Sequence, residues 1–165
     1  MTKPLSVELH GDREVRVVRS FRAPRALVWD AFTKPDMMKR WMLGPPGWTM
    51  PVCEMDVRVG GAFRWRWRSD DDGKEFGFYG TFLEVVAPSK LVHEEHYDPG
   101  DVGGPMTTDP CIVSQSFGET RGVTTLTITM LFGSKEARDG AVSTGMTDGM
   151  EMSYAGLERI LTQSS

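Results

Sequence analysis

The chain has 165 residues, 39% hydrophobic and 25% charged, which is enough apolar side chain for one filled domain and excludes a disordered chain. Its formal net charge of −4 excludes the basic footprint of a general nucleic-acid or anionic-membrane binder. No apolar run approaches the roughly 20 residues that cross a bilayer, and the polar opening from Met1 to Glu14 has no secretory core, so a cytoplasmic location is expected.

Residues 1–13 read as a flexible tail, and 14–163 as a single domain. Val15, Val17, Arg19 and Phe21 alternate with Arg16, Val18 and Ser20, a strand pattern that Ala23-Pro24 ends. Val28, Ala31 and Phe32 follow at helical spacing up to Lys34-Pro35, and Asp36 to Trp41 reads as a second short helix. Gly44-Pro45-Pro46-Gly47 is a loop.

Period two then takes over. Cys53, Met55, Val57 and Val59 form one inner row, Phe63, Trp65 and Trp67 the next, and Phe76, Phe78, Gly80 and Phe82 a third after Asp72-Gly73. Leu91 to Tyr97, Cys111 to Phe117 and Val123 to Phe132 are further strands, with a Gly- and Pro-rich loop over Pro99 to Pro110. Ser134 caps a helical turn, and Met146, Met150, Tyr154, Leu157 and Leu161 recur on one helix face. Gly145, Gly149, Ser153 and Gly156 make a second stripe that calls for close packing or room for a ligand.

A three-residue loop at Gly60-Gly61-Ala62 pairs Val57 with Trp65, and sets Asp56 opposite Arg66 and Glu54 opposite Arg68 on a solvent face. The Asp72-Gly73 turn pairs Trp67 with Phe78, Trp65 with Gly80 and Phe63 with Phe82. A four-residue turn at Ala87–Lys90 sets Glu84 opposite His93 and Phe82 opposite Glu95, and sends Glu84, His93 and Glu95 inward.

The run Arg19-Ser-Phe-Arg-Ala-Pro24, then Val28-Trp-Asp-Ala-Phe-Thr33, Pro35 and Trp41, resembles the activator of heat-shock-protein-90 ATPase-like family. So do Cys53-Glu-Met-Asp-Val-Arg58 with Gly60-Gly61-Ala-Phe63, Asp72-Gly73, Gly80-Thr-Phe-Leu-Glu-Val85 before Pro88, and Gly145-Met146 with Asp148-Gly149. The chain departs from the pattern at Trp41-Met42-Leu43-Gly44, where a second Trp often follows the first. The resemblance, over residues 14 to 162, implies the START-like superfamily that includes the birch pollen allergen. It implies an α+β helix-grip fold, in which a curved seven-stranded antiparallel sheet wraps a long C-terminal helix, two short helices follow the first strand, and a pocket lies between helix and sheet.

The expected occupant is a small, mostly apolar or aromatic molecule, with no cofactor. The 11 Met and 5 Trp suit a cavity of adjustable shape. Trp41, Phe63, Trp65, Trp67, Phe78, Met130, Met146, Met150 and Tyr154 are expected to line it, with His93 giving polar orientation. Glu84 and His93 are the one candidate acid–base couple, since an imidazole beside a carboxylate transfers protons near neutral pH. That leaves two alternatives, a cyclase, dehydratase or isomerase, and a co-chaperone-like interaction module. His93 and His96 point to opposite faces of a strand and do not chelate. Cys53 reads as a small core residue, and with Cys111 it makes neither a disulfide framework nor a zinc site.

Overall fold

Alternation of apolar and polar side chains fixes most of the architecture. The computed structural model describes residues 3–103 and 109–163; part of the expected Gly/Pro loop, 104–108, lies outside the described residues. In chain order the elements are β1 (Ser6–His10), β2 (Glu14–Phe21), α1 (Arg25–Thr33), α2 (Pro35–Trp41), β3 (Trp48–Met55) and β4 (Ala62–Ser69). Then come β5 (Glu75–Val86), β6 (Lys90–Asp98), β7 (Cys111–Thr120), β8 (Val123–Leu131), α3 (Lys135–Ser143) and α4 (Met146–Gln163). The strands form one antiparallel sheet in the order β1-β2-β8-β7-β6-β5-β4-β3, curved and unclosed, with α1 and α2 inserted between β2 and β3. This α+β arrangement is consistent with a helix grip.

The sheet has eight strands where seven are expected, because β1 lies inside the segment read as a tail. It pairs residue for residue with β2, from Ser6 opposite Val18 to His10 opposite Glu14. Val7 and Leu9 remain exposed, so backbone pairing rather than burial holds the strand. A hydrophobic pattern does not register such an element.

Three registers differ from those expected. Met55 lies opposite Phe63 and Cys53 opposite Trp65, so the link from β3 to β4 runs from Asp56 to Gly61. That link folds back onto β5, with Gly60 N–H donating to Phe82 O and Phe82 N–H to Gly61 O. Gly60 has φ +84°, and a Cβ on Gly61 would collide with the Asp56 carbonyl, so both glycines are required. The Asp56–Arg66 and Glu54–Arg68 pairs therefore do not form. Asp56 binds Arg58 at 2.8 Å, and Arg66 binds Glu75 at 3.0 Å and Asp98 at 2.6 Å.

Between β4 and β5 a four-residue turn replaces the two-residue one, which puts Trp65 opposite Phe78, Phe63 opposite Gly80 and Trp67 opposite Phe76. The turn is held by Ser69 N–H donating to Lys74 O, and by the Asp72 carboxylate accepting from Lys74 N–H. Both of these shifts are even, so the inner faces survive them. The turn into β6 is one residue tighter than expected, so Val85 faces Leu91 and Glu84 faces Val92. A bulge between Phe82 and Glu84 then absorbs one residue and restores the face, leaving Phe82 opposite His93.

The C-terminal helix is tied to the sheet through a charged group. Arg19, on the inner face of β2 and 4% exposed, donates from Nε to Glu151 at 2.9 Å and lies 3.6 Å from Glu158. Ser134 caps α3 as expected, its Oγ accepting from Ala137 N–H at 3.0 Å. The small-residue stripe passes beneath the loop after α2: Ser153 Oγ accepts from Gly44 N–H, and only Pro45 is near Gly149. Gly145 stands outside the helix, at the left-handed joint between α3 and α4.

Removing one partner of a buried ion pair leaves the other charge uncompensated, at a cost of about 3 kcal/mol or more. Arg19→Met is expected to lose about that much in urea denaturation, whereas Arg58→Ala, at an exposed pair, costs less than about 0.5 kcal/mol. Equal losses would show that Arg19 is not the tie.

Candidate functional site

A small cavity lies between the sheet and the α1–α2 pair, and its lining comes from those two helices, the loop after α2 and strands β3 to β7. It is therefore displaced from the expected position against the C-terminal helix. Its free volume is about 10 Å³, close to what one water molecule needs. Phe32, Phe82 and Leu91 make the rigid apolar wall, and Met38, Met42 and Met55 the adjustable one. Three polar side chains complete it: Trp65, His93 and Gln115.

Strand alternation brings each of these to the site. His93 shares the inner face of β6 with Leu91 and Glu95, and Gln115 sits between Val113 and Phe117 on β7. Trp65 stands at the centre of the Phe63, Trp65, Trp67 row. The His93 ring is 3% exposed and meets the edges or faces of Phe63, Trp65 and Phe82 at centroid distances of 5.0, 5.8 and 6.1 Å. Such aromatic packing holds the imidazole in one orientation.

The polar partner of His93 is Glu95. Its Oε1 lies 2.9 Å from His93 Nε2, the two residues being two apart on one strand face. Glu84 is not adjacent to His93. The tighter turn carries it outward, where it binds Lys90 at 3.2 Å with nearly half of its side chain in solvent. The acid–base couple read from the sequence is thus corrected to His93 and Glu95. A carboxylate only accepts, so Nε2–H donates to Glu95, and in the neutral form of the ring Nδ1 is then an acceptor. His93 Nδ1 and Trp65 Nε1 are both buried with no hydrogen-bond partner.

Of the residues expected to line a ligand site, Trp65 and His93 line this cavity together. Trp41 packs between Phe32 and Tyr154 at 4.7 and 6.0 Å and donates from Nε1 to Ala31 O. Trp67 donates to Met42 O at 2.7 Å, and Phe63 lies over Trp65 at 4.4 Å. Phe78 is half-buried between Trp67 and Tyr97. Met130 and Tyr154 are core residues, and Met146 and Met150 lie half-buried on α4. Gln115 was missed, although a polar side chain in phase with Val113 and Phe117 was a legible signal. Met38, Met42 and Met55 carried no such signal beyond their abundance.

Burial raises the Cys53 thiol to about 11, and raises Cys111 further, with Glu95 adding to the effect. Tyr154 is raised by burial and then by Glu151 and Glu95. Among the described residues no group of three His, Cys, Asp or Glu is placed to hold a metal ion. No helix of the described residues is long and apolar enough to cross a membrane.

The fold is consistent with a START-type domain. The chain belongs to the family described as Activator of Hsp90 ATPase homolog 1-like protein, whose model matches residues 22–162. No curated protein matches it. A Rhodobacter sphaeroides protein of solved structure is 24% identical over 98% of this chain and 99% of its own, with a TM-score of 0.86. A Mycobacterium smegmatis protein is 19% identical over the whole of both chains, with a TM-score of 0.82. An Aeromonas hydrophila protein described as AHSA1-like is 22% identical over 88% of this chain and 93% of its own, with a TM-score of 0.67. At these identities the likeness establishes the fold.

The thiols yield a test. A folded state that keeps them protonated binds more protons than the unfolded chain above the ordinary thiol range of about 8.5, so stability falls as pH rises from there toward 11. At pH 8 an aromatic disulfide reagent is expected to label Cys53 and Cys111 only as fast as the fold opens, and at once in denaturant. Rapid labelling of Cys53 in the folded protein would contradict its burial.

Proposed function

We propose that this protein binds a small, mostly apolar or aromatic molecule in the cavity beneath α1 and α2, between those helices and the sheet. One observation carries the reading: two unpartnered polar atoms, His93 Nδ1 and Trp65 Nε1, belong to rings that line one apolar cavity. A buried donor or acceptor without a partner costs about 1–3 kcal/mol, and a bound molecule that satisfies it recovers that cost. Room for the rest of the ligand comes from the three methionines, whose several rotatable bonds let them repack.

The polar end of the ligand meets His93, held by Glu95, and its apolar body displaces Met38, Met42 and Met55 toward the mouth. Binding of this kind asks for no covalent step. An enzyme built on the same site would use His93 as the base and Glu95 as its positioning residue, in place of Glu84. The family description favours a second reading, a co-chaperone-like module, which a saturable and specific stimulation of an Hsp90 ATPase would support.

Titration with a panel of small aromatic and aliphatic molecules, followed by Trp fluorescence and thermal melting, tests the binding reading. A ligand at 100 times its Kd stabilises the folded state by about 2.7 kcal/mol, and Leu91→Phe, which narrows the cavity at a modest cost in packing, is expected to weaken the effect while the fold persists. The absence of saturable binding across the panel would overturn the proposal.

A further inference from the structure

Resting on that reading, the donor and acceptor pattern of the cavity also names the chemical group that the ligand carries. We infer that the site selects a hydroxyl group, an alcohol or phenol, placed between Trp65 and His93.

Trp65 Nε1–H is a donor and nothing else. In the neutral ring His93 Nδ1 is the complementary acceptor, because Nε2 keeps its hydrogen and donates to Glu95 Oε1 at 2.9 Å. Both side chains are more than nine-tenths buried and both nitrogens lack partners. The two rings pack edge to face, with centroids 5.8 Å apart, and both line the same cavity, so one ligand group there is within reach of both. A hydroxyl oxygen accepts from the indole and donates its own proton to the imidazole. A ketone or ether satisfies the indole alone, and a carboxylate places a negative charge against the acceptor nitrogen, so each leaves a buried group unsatisfied. Phe32, Phe82 and Leu91 give the carbon skeleton an apolar surround, and a small phenol or cyclic alcohol enters as Met38, Met42 and Met55 move aside.

Three probes of nearly one shape separate the contributions: 4-ethylphenol, 4-ethylanisole and 4-ethyltoluene, titrated by calorimetry at a pH well above the ordinary imidazole range. The phenol is expected to bind on the order of ten-fold or more tighter than the toluene, with the ether between them. Trp65→Phe should erase the advantage of the ether over the toluene. His93→Phe should erase the advantage of the phenol over the ether and keep that of the ether over the toluene. Retained binding of the toluene by each variant shows that its cavity persists, and if a variant fails to fold the wild-type series decides alone. Equal affinity of the three probes overturns the hydroxyl assignment and leaves apolar binding standing. Failure of all three to bind overturns both.

Discussion

A buried indole N–H has to find an acceptor, and the arrangement of the α1–α2 pair over the sheet follows from how three tryptophans meet that demand. Trp41 closes α2 onto α1 by donating to Ala31 O, and Trp67 ties β4 to the chain leaving α2 by donating to Met42 O. Each bond is the only one its donor can make, so each fixes a spacing. Trp65, beside Trp67 in the inner row of β4, has no such acceptor among the described residues. The two satisfied indoles hold the roof at a height that leaves the third one facing His93. The cavity is the remainder of that packing rather than a separate device.

The same economy explains why the cavity is small and its lining is mixed. Aromatic rings in edge-to-face contact, Phe32 with Phe117 at 5.6 Å and Phe21 with Tyr154 at 5.9 Å, fill the space toward the C-terminal helix. Thus the volume expected between helix and sheet is occupied by protein, and the free space moves beneath α1 and α2. What remains adaptable there is methionine. A site of this kind has a fixed polar end and a deformable apolar end, and its ligand range is set by the first and widened by the second.

Much of the fold was legible because strand alternation is insensitive to even errors. The turns at Gly60-Gly61 and Asp72-Gly73 were each misplaced, yet Phe63, Trp65 and Trp67 still face inward, since shifts of two or four residues preserve the face. The β5–β6 turn was off by one, which should have reversed every side chain, and the bulge before Glu84 put the face right again. No composition rule announces such a bulge. His93 was therefore placed correctly and its partner was not: Glu95 needed only the shared strand face, whereas Glu84 needed the register. β1 escaped notice because its stabilisation is backbone pairing along β2, with hardly any apolar burial to leave a pattern. The Arg19 tie to Glu151 and Glu158 was half visible, as a charged residue in phase with Val15, Val17 and Phe21, but its partners lie more than a hundred residues away.

The central claim is that the unpartnered indole of Trp65 sits in a binding site. Proton–nitrogen correlation spectra resolve the side-chain N–H of each of the five tryptophans, and Phe substitutions assign them. On titration with 4-ethylphenol, the Trp65 resonance is predicted to move downfield saturably, as expected for a donor gaining an acceptor, while those of Trp41 and Trp67 stay nearly still. Movement of the other indoles with Trp65 unchanged, or no saturable movement at all, would contradict the account.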